Sequence, residues 1–475
     1  MTYNPLNQYR CTIIRGKAKS QVDDLLATYS SILNQITPIS NDSFKDSFNQ
    51  ELSKFLPTAS EKTLDNHRTE IVTKLFGMVS QDPEGTFYLS ERTKKYLSDG
   101  DQPAFFKDLC FKFQFPNGMD KLQTLTDRVQ HQIRIRPYCL VIEVLFAASK
   151  MSTSLSKNEL AFFVLNNEDA LSGKANTEEI IQAIIQARKD KDHFKVHEEG
   201  KASSYSMQHI TEQLNYLELA NLIVSDNGII KLNHNEANAI EVFSKNSRRL
   251  EFNVYSYNMD DPEQRNNLYY DWQEYYATLS HPSKNGTFDT SVESLTAEIR
   301  EAEDSPQVPH PMRTLDTIQL GDEGEKLVYN YEVKRVSLFD RRLTNKIHLL
   351  GKTKGLGYDI QSIFGNENHD NPEFVKYIEV KSTKRVTLPD LTNEDWFDTL
   401  NLTRNEWVAA SQHQGAFEIY RVYFTKAGIL VLIIKNPNLK NESGLIKVVP
   451  TQYRMDFNAN AIDNQLSMHT EELNV

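Results

Sequence analysis

Glu379 and Lys381 stand two residues apart in Phe374-Val375-Lys376-Tyr377-Ile378-Glu379-Val380-Lys381-Ser382-Thr383, a stretch rich in β-branched and aromatic residues with no Gly or Pro. Such a run predicts a strand, and alternate residues of a strand share a face. The carboxylate and the ammonium therefore point the same way, roughly 7 Å apart along the backbone. Charges at the end of an apolar strand are costly unless they act together. Upstream, Asp359 lies near the start of a predicted strand, Leu356 to Phe364, and Glu325 near the start of a predicted helix, Leu320 to about Val336. Cleaving a phosphodiester asks for a nucleophilic water, neutralisation of the added charge and an in-line geometry. Asp359, Glu379 and the backbone carbonyl of Val380 offer oxygens to Mg²⁺, with Mn²⁺ as a substitute, and leave positions open for water and phosphate. Lys381 then orients or helps deprotonate the water and stabilises charge on the phosphate. Glu325 reaches the metal through water or helps hold a second one. The expected catalytic set is Glu325, Asp359, Glu379 and Lys381.

A bare Glu-x-Lys carries little information, and Glu332-Val333-Lys334 is a second copy in the same chain. That copy falls in a predicted helix, where positions two apart do not share a face, so it is set aside. The alternative for Glu379 and Lys381 is a surface ion pair on an edge strand. Asp359 across a predicted hairpin, and Glu325 at a helix start with Gly321 and Gly324, tell against it.

The elements that must position these residues form an α/β arrangement. A helix from Leu320 precedes the two strands, a helix containing Leu402-Thr403-Arg404-Asn405-Glu406-Trp407 follows, and Phe417 to Phe424 and Gly428 to Lys435 read as further strands of a mixed sheet. Ahead of it, Glu303-Asp304-Ser305-Pro306-Gln307-Val308-Pro309-His310-Pro311 reads as a linker. The remainder is mainly helical. His67 to Met78, a strand ending at Leu89, and Ser90 to Leu97 suggest a winged helix. Pro137 opens an apolar helix, and Ser156-Lys157-Asn158-Glu159 is a capping box opening the next. Met207 to Leu217 then leads into a hairpin that turns on Asn227-Gly228, the end of a second winged helix. The Phe-rich segment 105–115 and the aromatics of 269–276 read as core; 281–286 reads as a loop. The expected division is 1–135, an N-terminal helical and winged-helix region; 136–250, a second winged-helix region for DNA recognition; 251–315, a helical connector and linker; and 316–475, the nuclease-like domain.

The chain has 475 residues, 39% hydrophobic and 25% charged, enough for about three globular domains. No apolar run is long enough to span a membrane, and the first residues lack the pattern of a signal peptide. Cys11, Cys110 and Cys139 are too few and too scattered for a disulfide framework or a zinc site. These points suggest a cytoplasmic protein. The net charge of −12 argues against a protein that coats nucleic acid non-specifically, though not against local basic surfaces. Those surfaces are sought at Arg128, Arg134 and Arg136, at Arg341, Arg342, Lys352 and Lys354, and in a basic arm of Arg10, Arg15, Lys17 and Lys19.

Together, Gly321-x-x-Gly324-Glu325, Gly357-Tyr358-Asp359-Ile360, Ile378-Glu379-Val380-Lys381-Ser382-Thr383, Leu402-Thr403-Arg404-Asn405-Glu406-Trp407 and Tyr420-Arg421-Val422 resemble the nuclease-like domain at the C-terminus of the plant NO VEIN protein and of many bacterial defence proteins. The resemblance covers about residues 317–435. It implies the PD-(D/E)XK nuclease superfamily, a restriction-endonuclease-like fold and catalytic roles for Glu325, Asp359, Glu379 and Lys381, with Glu406 either a further member or an anchor for its helix. The N-terminal half resembles AlwI-like type II restriction endonucleases through Phe87 to Leu97, Phe113 to Pro116, Ile135 to Leu145 and Leu155 to Leu160, which implies winged-helix DNA recognition. Arg92-Thr93 departs from that pattern, where a Gly is expected. The expectation is a Mg²⁺-dependent endonuclease acting on double-stranded DNA in restriction or phage defence. The alternative is a DNA-binding subunit of a multi-protein defence system whose nuclease domain acts only when a partner releases it. One active site per chain cuts one strand per event, so a double-strand break needs a homodimer or a second cut.

Overall fold

The computed structural model describes residues 3–11, 19–191, 202–297, 318–351, 355–367, 371–450 and 453–468. Arg15, Lys17, the proline-rich stretch 303–311, Lys352 and Lys354 lie outside the described residues.

The N-terminal part uses one order of elements twice. The first run is α1 (Lys19–Ile36), β1 (Ile39–Ser40), α2 (Asn41–Ser53), α3 (Glu61–Asn66, continued by π-helical turns His67–Leu75), β2 (Val79–Gln81) and β3 (Thr86–Leu89). Then come α4 (Glu91–Asp99), α5 (Gln102–Lys112) and α6 (Leu122–Gln130). The second run is α7 (Pro137–Lys150), β4 (Leu155–Ser156), α8 (Lys157–Glu159, continued by π-helical turns Leu160–Leu165), α9 (Glu168–Ser172), α10 (Thr177–Asp190), α11 (Ala202–Leu219), β5 (Ile223–Asp226) and β6 (Ile229–Leu232). In both runs the short first strand pairs antiparallel with the last strand of the hairpin, giving sheets ordered β1-β3-β2 and β4-β6-β5. Local chemistry sets the boundaries. Ser156 and Glu159 form the capping box at α8, and Asn227 and Gly228 both take positive φ in the β5–β6 turn, as a two-residue hairpin requires.

α12 (Ala237–Ser244), α13 (Pro262–Ala277), α14 (His281–Lys284) and α15 (Val292–Thr296) follow. The stretch expected as a loop at 281–286 contains α14, because Ser280 accepts a hydrogen bond from the Ser283 N–H and Pro282 sits in the first turn. One apolar core takes side chains from Tyr3 through Phe288, including Phe105, Phe106, Phe111, Trp272 and Tyr276. The three cysteines are free and buried. Among the described residues, no helix is long and apolar enough to cross a membrane.

The C-terminal part runs α16 (Ile318–Asp340), β7 (His348–Leu349), β8 (Ile360–Ile363), β9 (Val375–Lys384), β10 (Asp398–Leu402), α17 (Arg404–His413), β11 (Phe417–Thr425), β12 (Gly428–Lys435), α18 (Pro437–Glu442), β13 (Ile446–Pro450), β14 (Tyr453–Phe457) and β15 (Asn464–Met468). Six strands form a mixed sheet ordered β15-β12-β11-β9-β8-β7, in which β9 and β11 are parallel and the other pairs antiparallel. All nine residues of β11 are buried, as expected of a strand covered on both faces. One cover is the core of α16 with Ile378, Val380 and Tyr420; the other is that of Ala409 and Ala410 of α17 with Phe417 and Ile419. β10, β14 and β13 make a smaller antiparallel sheet.

Candidate active site

β9 divides its residues between those two covers. Ile378 and Val380 pack under Leu327, Val328 and Val336 of α16. On the same face Lys376 meets Glu332 of that helix at 3.3 Å. Tyr377, Glu379 and Lys381 face α17 instead: the His413 ring stacks on Tyr377 with centroids 3.7 Å apart, and Lys381 Nζ lies 2.9 Å from Glu406. Lys381 Nζ is also 2.7 Å from Glu379, whose side chain is only 3% exposed. With Glu379 buried and Glu406 sharing the ammonium, this is not a surface ion pair. Glu332, in the Glu-x-Lys copy set aside above, is a buried hub on the other face. It accepts hydrogen bonds from Ser362, Tyr420 and Arg335, while Lys334 is exposed.

Asp359 stands one residue ahead of β8. Its N–H donates to the Ile378 carbonyl at 2.9 Å, and its Oδ2 accepts from the Val380 N–H at 2.8 Å. A residue's N–H and C=O project to the same edge of a strand. The Val380 carbonyl therefore points to the side of Asp359, past Ile360 and Ile378, where pairing between β8 and β9 ends. Glu406 reaches the group through its helix cap: Thr403 accepts from the Glu406 N–H, and Glu406 Oε2 accepts from the Thr403 N–H at 2.9 Å. Glu325, two turns into α16, lays its carboxylate against Gly351, where a Cβ would come within 1.9 Å of Oε2. Leu350, just before that glycine, donates its N–H to the Asp359 carbonyl at 2.6 Å. The structure thus gathers Asp359, Glu379, Lys381 and Glu406 at one end of β9, with Glu325 joined to them through the Leu350–Gly351 backbone.

The electrostatics follow from one ammonium shared among carboxyl groups. Burial pushes Glu379 well above the ordinary carboxylate range; Lys381 opposes that shift, and Asp359 and Glu406 add to it. Burial also raises Asp359, against the pull of the Val380 N–H and Lys381. For Lys381 burial works to lower the pKa, but Glu379 and Glu406 outweigh it and hold the ammonium charged. Among the described residues, no group of three or more His, Cys, Asp or Glu side chains is arranged to hold a metal ion. Mg²⁺ does not require one, since it commonly takes one or two carboxylates and keeps several waters. Two crowded, desolvated carboxyls beside an outward-pointing carbonyl are hard oxygen donors that fit such an ion.

Comparison with known proteins places both parts of the chain. Residues 3–273 match the family model for the N-terminal part of the restriction endonuclease BpuJI. The chain belongs to this restriction endonuclease family. A crystal structure of the BpuJ1 endonuclease binding domain in complex with pyrene- and phenanthrene-modified DNA is 48% identical. The likeness covers 58% of this chain and all of that one, with a TM-score of 0.57. Residues 324–434 match the family model for the C-terminal part of the protein NO VEIN, in keeping with the resemblance read over 317–435. None of the curated proteins matches.

Within the BpuJI-like part, two arginines expected at phosphates are interior groups. Arg128 is 2% exposed, ion-paired with Asp120, and lies over the Phe115 ring at 3.9 Å. Arg136 is fully buried, 3.1 Å from Glu251 and over the Phe111 ring. Each is a buried charge held by a carboxylate and an aromatic face, and that corrects the expectation of phosphate contact. Arg134 is exposed over the Tyr255 ring. Arg341 and Arg342 are exposed after α16, Arg342 paired with Asp340. Arg92, at the departure from the AlwI-like pattern, is buried and bonded to Asp108 at 2.7 Å, so the arginine has a packing reason. Glu406, which the resemblance offered as either a further member of the site or an anchor for its helix, caps α17 through Thr403 and also meets Lys381.

Proposed function

We propose that the chain is a Mg²⁺-dependent DNA endonuclease that hydrolyses phosphodiester bonds in restriction or phage defence. The observation that carries this reading is the buried cluster of Asp359, Glu379, Lys381 and Glu406, in a chain whose larger part belongs to a restriction endonuclease family. Asp359, Glu379 and the Val380 carbonyl are the groups that would hold the metal, with Glu325 nearby. The ion would supply Lewis acidity and a more acidic water. Lys381, held in place by Glu406, orients the nucleophile and stabilises charge on the phosphate; the Val380 N–H keeps Asp359 in register.

The two helix–strand–helix–hairpin runs are read as winged-helix units that bind double-stranded DNA, and the PD-(D/E)XK fold as the frame of the sheet. The division at 135, 250 and 315 and a cytoplasmic location complete the proposal, with a homodimer or two successive cuts for a double-strand break. The test is plasmid cleavage by the purified full chain with Mg²⁺ and with Mn²⁺. Lys381→Ala should bind DNA and fail to cut; retained cutting would overturn the assignment of the site. A second reading, a DNA-binding subunit whose nuclease waits for a partner, draws on the grip of the N-terminal part on β9 just beyond Lys381. Failure of the full chain to cut any DNA with either metal would favour it.

A further inference from the structure

β11 accompanies β9 from Tyr377 to Lys384. On its other edge, pairing with β8 ends at Ile378. From there the even-numbered residues turn their N–H and C=O groups to an edge that has no strand beside it among the described residues. Among those residues two fasteners close that edge. One is Asp359, which takes the Val380 N–H. The other comes from the BpuJI-like part: the Gly100 carbonyl accepts the Lys384 N–H at 3.1 Å and the Thr383 hydroxyl at 3.1 Å. Asp101 adds an isolated parallel bridge to Lys384, its carboxylate 3.6 Å from Nζ.

The corner that makes this contact is itself held firmly. Gly100 takes φ +63° at the end of α4. Asp101 caps α5 by accepting the Ala104 N–H, and its other oxygen accepts the Thr290 N–H at 2.7 Å. Further along the chain, Arg385 bonds Asp24 at 2.8 Å, the Thr387 N–H donates to Asp23 at 3.2 Å, and the Phe55 and Phe397 rings meet at 4.7 Å.

We infer that the Gly100–Asp101 corner is a positioning element of the cleaving centre. It serves as the missing edge neighbour of β9 and sets where Glu379 and Lys381 stand relative to Asp359. The inference rests on the nuclease reading and deepens it. Val380 to Ser382 is the span between the two fasteners, and it contains the lysine. Thr383 shares a face with Glu379 and Lys381, so a slip at Gly100 is felt two residues away at the ammonium. A misplacement of about 1 Å at a reacting group costs about a hundredfold in rate. The part that grips DNA and the part that cuts it are therefore coupled through a rigid joint beside the active site, and cleavage depends on that joint as well as on the four charged residues.

The deciding experiment compares Thr383→Val with Thr383→Ser in the full chain. The first removes the hydroxyl and keeps the shape; the second keeps the hydroxyl. Thr383→Val should lower kcat for plasmid cleavage about tenfold, with unchanged DNA affinity and a melting temperature lowered by no more than about 4 °C, and Thr383→Ser should restore kcat. Gly100→Ala, whose Cβ would lie 3.2 Å from the Ser382 carbonyl oxygen, should lower kcat in the same way. Wild-type kcat in Thr383→Val, or an equal loss in Thr383→Ser, overturns the positioning role while leaving the nuclease reading intact. If the wild-type chain cuts no DNA with either metal, the reading of a nuclease that acts by itself gives way to the partner-dependent one, and this inference falls with it.

Discussion

Gly357→Ala tests the loop that delivers Asp359. Gly357 takes φ +79°, and a Cβ there would lie 2.4 Å from the Asn405 carbonyl oxygen and 2.9 Å from Ala409 Cβ. The left-handed backbone costs an alanine about 1 kcal/mol. Forcing a methyl into closed packing adds about 1–3 kcal/mol. The Asn405 oxygen belongs to the first turn of α17, which the Thr403–Glu406 capping box secures, so it has no rotamer by which to step aside. Either the loop lifts and carries Asp359 with it, or α17 shifts and carries Glu406 away from Lys381. Both routes damage the same centre. The expected outcome is a loss of about 2–4 kcal/mol in local stability, seen only in part by global urea unfolding because the loop yields first. Cleavage should fall about a hundredfold for a displacement of about 1 Å. The assays are urea unfolding and initial plasmid cleavage rates at saturating Mg²⁺. A variant that unfolds within about 0.5 kcal/mol of wild type and cuts at the wild-type rate would refute the reasoning.

Burial raises Glu379 and Asp359, and a carboxyl raised on folding loses its stability contribution as pH climbs from the unfolded value through the folded one. The metal-free protein should therefore lose melting temperature as pH rises above the ordinary Glu value of 4.5. Mg²⁺ should restore more of it at high pH than at low, and a Mg²⁺ shift independent of pH would count against these residues as its ligands. Glu332 behaves oppositely: burial opposes ionisation, but Lys376 and Arg335 prevail and bring it down to about 2, so its stabilising charge is lost as pH falls from 4.5 through that value. Glu332→Ala leaves Lys376 with Glu367 at 2.7 Å and Glu418 at 3.5 Å but strips Ser362 and Tyr420 of their shared acceptor, and should cost about 1–3 kcal/mol in urea unfolding; an unchanged midpoint would show the hub to be idle. Arg128→Ala should lower the melting temperature yet leave the salt dependence of DNA binding unchanged, whereas a slope reduced by about one would return Arg128 to the phosphates.

Much of this fold could be read from local chemistry. The capping box at Ser156 and the Asn227-Gly228 turn fix their elements within a few residues, whatever packs against them. β9 and β11 announce themselves because both are rich in β-branched and aromatic residues without Gly or Pro. β10 did not, since Asp398-Thr399-Leu400-Asn401-Leu402 becomes a strand by pairing with β14 far downstream, and Asp398 is held there by Arg421 and Tyr423. The arginines misled for a related reason. A run of Arg before Pro137 looks the same in sequence whether it meets phosphate or Asp120 and Glu251, and the difference lies wholly in partners distant along the chain.

The candidate site shows the same boundary between local and non-local information. Glu379 and Lys381 were legible because strand geometry alone puts them on one face. Asp359 was legible because a short polar turn can bring only nearby residues to that face. Nothing local shows that the pairing of β9 with β8 ends at Ile378, that the next N–H groups of β9 need acceptors, or that Gly100, far back in the BpuJI-like part, supplies one. Yet an unpaired strand edge beside buried charges is a place a protein must close. With Asp359 closing its near end, the far end had to be closed by a residue from elsewhere. A bare nuclease fragment beginning near residue 316 would keep the four charged residues and lose that acceptor. Full activity in such a fragment, once shown to be folded, would mean that β9 holds its own register without the N-terminal part.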